Sequence, residues 1–535
     1  KAPKKNIAQT LATDNIPSMI MDLMKTISPA KKETKNDSVR AVQASQVCYI
    51  DVNATPESEQ IGLVKHRTML CMFSQHRDPA HISLLVKQYC LKMKDPQYPQ
   101  YDTFIIINGS PMGFAPGKYM HEYLLKLRRN GTIEEDVGIV YLQKEQTIYI
   151  LTVWGRPVAP YLIVNQETHK LVIDEKNLWQ ADFKELLRQG AVEYLCTWEA
   201  WQPYNKIAQF SDEVTKECLD YNRLGQQIAA ITSMEKLSFE EEIVREQLQQ
   251  QYQQKKTFFS HSFIHPLQIV DYISSLIPLL NFNQGPRITY GGNQLRQAMG
   301  LNSSKILSKA TTIRTSSMAT QPLVDTIMTR ALGLDALPQG QTVNFAIMTY
   351  GGKNIEDAII MKKEFVERGG FLNTIYKTSK IKTVPNNKSN NVRHMESFDN
   401  PLNTDKYPNL QIKNPQRYCH LGPDGIVKEG SMITKGDCLA GKIRQQFHTK
   451  TGKYDPPVNT SCFAGVNEVG YVEEVISNIK DGQGEVIIRL RSTVSPIIGD
   501  KFSNRHAQKS TIGCLVPTVD LPFEPETGWT PDIIL

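Results

Sequence analysis

Between Glu485 and Lys509 the sequence passes from a strand, through a stop, into a charged loop. Glu485-Val-Ile-Ile-Arg-Leu-Arg-Ser-Thr-Val494 is rich in β-branched residues and reads as a strand. Pro496 then breaks the pattern. Gly499-Asp-Lys-Phe-Ser-Asn-Arg-His-Ala-Gln-Lys509 follows, and it places four side chains able to carry positive charge (Lys501, Arg505, His506, Lys509) and one carboxylate (Asp500) within eleven residues. Cations on a loop that a rigid sheet presents suit the gripping of phosphates at fixed positions. The plainer reading of such a loop is a solvated surface cluster.

The rest of the chain sets that loop in a multidomain α+β protein with a strand-rich C-terminal half. At 535 residues it exceeds what one core can organise, so three or more domains are expected. Residues 6–27 read as helical from the apolar steps at Leu11, Ile16, Met19, Ile20, Leu23, Met24 and Ile27. From 99 to 165 short strands alternate with turn signals, among them Asn108-Gly109 after Thr103–Ile107, with a helix over roughly 118–129. Residues 211–257 form a polar helical tract ending in a glutamine run, and 267–280 read as a buried helix or turn. Beyond 340 the pattern is mainly β, with strands over 342–350 and 425–494 and a mobile Asn-rich loop over 385–391.

Composition narrows the function classes. Hydrophobic residues at 40% and charged residues at 22% give a globular rather than a disordered balance. The net charge is only +6, so any contact with a polyanion must come from local patches. Nine cysteines are scattered without a Cys-x-x-Cys pair, so no zinc site is expected in this segment and the thiols read as reduced. The longest apolar run, Tyr272–Leu280, is short and broken by Pro278, so no membrane partner is expected. No signal-peptide core opens the chain, which reads as intracellular. Lys1-Ala-Pro-Lys-Lys5 without an initiator methionine, and an apolar C-terminal Thr530–Leu535, read as the cut ends of a fragment.

Three further constellations could carry chemistry. Arg40 through Val64 contains Thr55-Pro-Glu57, a turn that is most simply structural. In Gln284–Gly300, Pro286 fixes the backbone before Arg287, whose planar fork can meet phosphate oxygens, and Tyr290 and Gln297 offer hydrogen bonds to a sugar or phosphate. In Tyr350–Ile360 the adjacent carboxylates Glu356 and Asp357 precede an apolar run. They read either as the cap of a helix N-terminus or as oxygen ligands that attract a divalent cation.

Taken in order, these segments resemble the second-largest (beta-type) subunit of multisubunit DNA-directed RNA polymerases, as a central fragment. His265-Pro266, Asn108-Gly109, Gly155–Pro160, Leu187–Tyr194 and Thr530–Ile533 extend the resemblance over nearly the whole chain, and the wording is nearest to the divergent polymerases of large DNA viruses. The resemblance implies a fork region (residues 1–74), an external-1-like domain (75–155), an external-2-like domain (156–210) and a helical second part of the fork (211–262). It then implies a hybrid-binding domain, double-psi-barrel-like, in two parts (263–372 and a truncated 496–535) around a wall- or flap-like insertion (373–495).

The roles it implies are specific. Lys501 and Lys509 would contact the RNA 3′ end and the nucleotide phosphates, Arg287 the triphosphate, and Gln297 the RNA strand. Tyr290, Arg40, Arg505 and His506 would lie along nucleic acid. Glu356 and Asp357 would lie near an exchangeable second Mg2+, directly or indirectly, with magnesium held mainly by a partner, the largest (beta-prime-type) subunit. The further partners implied are small polymerase subunits, template DNA, the RNA transcript and nucleoside triphosphates. The compartment implied is the host cytoplasm or virion for a viral chain and the nucleus for a cellular one. Ser58, Arg296, Ala507 and Ser510 depart from the family wording, the last two standing where glycines are common. The Asp-x-Asp-Gly-Asp cluster that the largest subunit uses for the first metal is absent, so the chain is expected to be catalytically silent alone. Two rival classes remain. A self-contained nucleotide-binding enzyme would need Gly-Lys followed by Ser or Thr, which no Gly-Lys pair here has. The other is a non-catalytic nucleic-acid-binding scaffold derived from a polymerase subunit.

Overall fold

The computed structural model describes residues 11–535 apart from 13, 94–96, 166–167, 174, 179, 233–246, 248–257, 301–311, 385–387, 390–391, 409, 449–452 and 481. The chain divides into two compact units, one of residues 23–275 with 284–289 and one of residues 1–22, 276–283 and 290–535. Among the described residues no helix is long and apolar enough to cross a membrane.

The 23–275 unit contains two larger sheets beside a two-stranded one. In the first, the strand order is Ser110–Ala115, Thr103–Ile107, Thr147–Leu151, Gly138–Leu142. Asn108 and Gly109 both take positive φ (49° and 85°) and fold Thr103–Ile107 back onto Ser110–Ala115, as that dipeptide favours. Alternation in Thr103–Ile107 buries Thr103, Ile105 and Ile107 on one face. There they join Ile139, Ile148 and Ile150, with Met120 and Leu124 of the helix Gly117–Arg129 laid across them. The second sheet runs Ile207–Ala208, His261–Ser262, Pro157–Ile163, Met72–Phe73, and Val192–Cys196 also pairs with Pro157–Ile163.

A buried ionic cluster ties the helix to that second sheet. Arg128 donates to Glu199 at 2.7 Å and to Glu193 at 3.1 Å, Arg129 donates to Glu193 at 2.6 Å, and His261 Nε2 lies 2.6 Å from the same carboxylate. Burial works against the Arg128 charge, but Glu199 and Glu193 more than offset it and raise its pKa. Glu193 is held well below the usual carboxylate range: burial opposes this, and Arg129, Arg128 and His261 overcome it. Glu199 is pushed up by burial despite Arg128.

In this unit the expected helix over 6–27 is found only as Ile16–Met24, which crosses the unit boundary, and residues 6–10 lie outside the described set. Lys25–Ile27 turns into a strand paired with Val64–His66, where β-branched Thr26 and Ile27 fit a ladder better than a helix end. The polar tract is a helix over Ser211–Thr232, and the glutamine run lies outside the described residues.

The 290–535 unit contains an antiparallel sheet in the order Thr312–Ser316, Asn373–Lys382, Gln483–Val494, Gly470–Lys480, Met432–Ile433. The strand read at 485–494 is its centre, and Val486, Ile488 and Leu490 face a core with Ile433, Leu439 and Val472. Val392–Phe398 and Lys442–His448 lead a second antiparallel sheet. Of the Asn-rich loop only Lys388–Ser389 is described, as a short strand on that sheet. The third sheet is mixed: Phe345–Ala346, Ile533–Ile534, Ala358–Lys362, Lys509–Val516, Lys501–Ser503. Only Phe345–Ala346 of the strand expected over 342–350 forms. Pro278 and a left-handed Leu279 (φ 51°) keep 266–282 to short 3-10 turns.

Candidate nucleic-acid interface

The basic loop is largely a hairpin. Gly499 (φ 96°) donates its N–H to Ile512 O at 3.0 Å, and Ile512 N–H returns one to Asp500 O at 2.9 Å. Asp500 Oδ2 accepts from Ile497 N–H at 3.0 Å, so that carboxylate closes its own turn. Lys501–Ser503 then pairs with Lys509–Val516 in the register Lys501↔Thr511, Phe502↔Ser510, Ser503↔Lys509. Asn504 Oδ1 accepts from the N–H groups of His506 and Gln508 at 2.9 and 3.0 Å and closes the tip.

Alternation sorts the side chains of this hairpin into two faces. Phe502 and Ser510 turn inward, where Phe502 joins Ile359, Met361 and Ile512 and meets Phe371 at 4.7 Å between ring centres. Lys501, Ser503, Lys509 and Thr511 share the other face. The two lysines are diagonal neighbours there, roughly 7–8 Å apart at the backbone. Both are exposed, and neither side chain makes a hydrogen bond or ion pair among the described residues. Ser503 and Thr511 went unremarked in the sequence, although counting by twos from either lysine reaches them.

The acidic pair borders this face. Thr511 N–H donates to Asp357 O at 3.0 Å, and Ala358 pairs with Thr511, which pairs in turn with Lys501. Two strand spacings put the Ala358 strand roughly 10 Å from Lys501. Glu356 and Asp357 are exposed and left-handed, with φ of 57° and 61°, in a turn that leads into the strand Ala358–Lys362. The helix-cap reading of these two residues is therefore excluded, because no helix begins there. A left-handed glutamate is strained, and strain of this kind gathers at functional sites. Gly513 lets that segment approach: a Cβ on it would stand 2.9 Å from Lys353 O. Among the described residues no group of three or more His, Cys, Asp or Glu could hold a metal, so the pair offers two carboxylates and not a complete site.

The hairpin tip is fastened to the helix Gly285–Leu295 and its surroundings. Arg505 donates to Val324 O, and burial pushes its guanidinium pKa down, with Asp325 opposing. His506 Nδ1 donates to Asn283 Oδ1 at 2.9 Å. A Cβ on Gly291 would stand 3.3 Å from Arg505 O, so glycine permits this close approach. Ala507 is buried and left-handed (φ 62°), which gives the physical reason a glycine suits that position. Ser510 is also buried, and its hydroxyl has no hydrogen-bond partner among the described residues.

Exposed Tyr290 lies on that helix, one turn from Arg287, and exposed Gln297 follows its end. Asn15, a residue the sequence did not mark, donates to Leu295 O, Arg296 O and Ala298 O and caps the helix C-terminus. Arg287 itself belongs to the other unit, in the first turn, where Pro286 is well suited. Arg40 is placed differently from the expectation of a nucleic-acid contact. Its guanidinium donates five times, to the carbonyls of Lys32, Glu59 and Ile61 and twice to Thr34, which commits every N–H it has to pinning two loops.

Comparison with known proteins decides the family. The family model for RNA polymerase Rpb2, domain 6, matches residues 273–535, that for domain 4 matches 105–165, and that for domain 3 matches 9–73. The chain belongs to the second-largest-subunit family of multisubunit RNA polymerases. DNA-directed RNA polymerase II subunit RPB2 of Encephalitozoon cuniculi is 29% identical over 99% of this chain and 44% of its own length. DNA-directed RNA polymerase subunit Rpo2 of Sulfolobus acidocaldarius is 26% identical over 99% of the chain and 45% of its own length. DNA-directed RNA polymerase III subunit RPC2 of Schizosaccharomyces pombe is 26% identical over 100% and 43%. The Rpb2-family chain thus spans less than half the length of these relatives. They come from cellular organisms and lend no support to the viral lineage suggested by the motifs.

Proposed function

We propose that this Rpb2-family chain forms half of the active centre of a DNA-directed RNA polymerase, working inside the cell with a largest subunit and smaller subunits on template DNA. It would bind the RNA 3′ end, the RNA–DNA hybrid and the phosphates of the incoming nucleotide. The observation that carries this reading is the unpaired Lys501–Lys509 face beside the Glu356–Asp357 turn.

In nucleotidyl transfer the RNA 3′ oxygen attacks the α-phosphorus, a new P–O bond forms, and the bond to pyrophosphate breaks. Negative charge moves from the attacking to the leaving oxygens, so fixed cations that follow it lower the barrier. Lys501 and Lys509 would hold the 3′-terminal phosphate and the α-phosphate. Arg287 would take the triphosphate by its fork, while Tyr290 and Gln297 would orient the sugar and RNA strand. Arg505 and His506 would keep the hairpin tip in place along the hybrid. Magnesium, held mainly by the largest subunit, would supply Lewis-acid stabilisation of the attacking and leaving oxygens. Glu356 and Asp357 would be the outer acidic edge near the second ion. The domain plan stated from the sequence goes with this reading, including a double-psi-barrel-like hybrid-binding core around the mixed sheet.

The test is RNA extension on a hybrid by this subunit with and without a largest-subunit partner. Extension only with the partner is expected. Extension without it would overturn the shared site, and none with it would favour a binding scaffold without catalysis.

A further inference from the structure

A buried cluster in the 23–275/284–289 unit takes no part in that chemistry, yet its hydrogen bonds lead to Arg287. Asp51, Asp271 and His66 are 1%, 0% and 3% exposed. His66 Nδ1 stands 3.0 Å from Asp271 Oδ2, and Asp271 Oδ1 accepts from Ser274 N–H at 2.7 Å. Asp51 Oδ2 accepts from the Asp271 N–H at 2.5 Å, while Asp51 Oδ1 accepts from Asn53 N–H at 2.5 Å and Ala54 N–H at 2.7 Å. The carboxylate thereby shapes the 51–54 turn and locks it to the 271–274 segment. Asn53 O in turn accepts from Thr289 Oγ1 at 2.7 Å, and a Cβ on Gly285 would stand 3.5 Å from Asn53 Oδ1. Gly285 and Thr289 flank Arg287 at the start of its helix. The turn that Asp51 shapes is therefore the seat on which Arg287 is held.

We propose that Asp51 is a positioning residue for Arg287, and that a proton on Asp51 tightens the seat while its loss loosens it. The proposal rests on the reading of Arg287 as a triphosphate contact. Two carboxylates in one buried place resist joint ionisation. Burial first, and the Asp271 charge second, push Asp51 up to about 7 against the pull of the backbone donors of Asn53, Asp271 and Ala54. The titratable groups facing Asp51 are Asp271 and, across Asp271, His66. A carboxyl raised on folding binds its proton more tightly in the folded chain. Its contribution therefore favours folding at acid pH and is lost as pH rises from the unfolded carboxyl range through about 7.

The test uses the assembled enzyme and two readouts as pH is raised through about 7. One is backbone hydrogen exchange over 285–289, corrected for its intrinsic pH dependence; the other is KM and kcat in single-nucleotide addition. The wild type should lose protection, with KM for the nucleoside triphosphate rising roughly two- to ten-fold, the worth of one hydrogen bond, and kcat changing less. Asp51→Asn keeps an acceptor oxygen without the titration and should flatten both profiles; Asp271→Asn should do the same and serves if the first variant fails to assemble. Flat wild-type exchange, or wild-type profiles in both variants, would overturn the proposal. Arg287→Ala should raise KM at every pH and leave the exchange profile alone. An unchanged KM there sinks the triphosphate reading, and exchange still decides the positioning claim.

Discussion

The chain keeps its cations in two contrasting settings. Around Arg128 every charge is answered, and all but the half-buried Arg129 are buried: Glu193, Glu199, Arg129 and His261 form a cluster between a helix and a sheet. On the 501–511 hairpin two lysines stand exposed on one face with no side-chain partner among the described residues, their backbone fixed by strand pairing. Arg40, half-exposed and held by five hydrogen bonds to four backbone carbonyls, is a third case, in a segment expected to touch nucleic acid. A basic residue alone therefore says little. Where its counter-charge lies separates a cation that holds the fold from one available to a ligand.

The comparison can be broken most easily at Arg128. Arg128→Ala leaves Glu199 buried without its main partner and takes one of three partners from Glu193, and it should cost about 3–5 kcal/mol of stability. Thermal denaturation would show this, and an unshifted transition would mean the cluster is not structural. Lys501→Ala and Lys509→Ala should behave oppositely, with denaturation unchanged and nucleotide addition by the assembled enzyme slowed by roughly tens-fold each. A stability loss with normal addition would reverse their assignment. The smallest expected effect is at the hairpin tip. Ala507→Gly relieves a left-handed alanine but removes a buried methyl, leaving a gain on the order of 0.5 kcal/mol in chemical denaturation. A clear loss would show that the tip is not strained.

Local signals carried the elements that local chemistry decides. Asn108-Gly109 made its hairpin, and the 485–494 run became the centre of a sheet because alternation and β-branching act within a strand. What was hidden depended on distant partners. Lys25–Ile27 became a strand through Val64–His66, some forty positions on. The basic loop became a hairpin because Ala358–Lys362 gives Lys509–Val516 a neighbour to pair with. Residue types raised Lys501, Lys509, Glu356 and Asp357, and the family resemblance chose their roles over plainer structural readings, but the face shared by the lysines and the left-handed turn of the acids required the register. The carbonyls that bind Arg40 have no side-chain signature at all.

Photocross-linking from a 4-thiouridine at the RNA 3′ end of a stalled assembled complex, with the adduct mapped by mass spectrometry, probes the lysine face without relying on rates. Adducts within residues 501–511 are predicted. Adducts confined to the 23–275 unit, with none on that hairpin, would contradict the assignment.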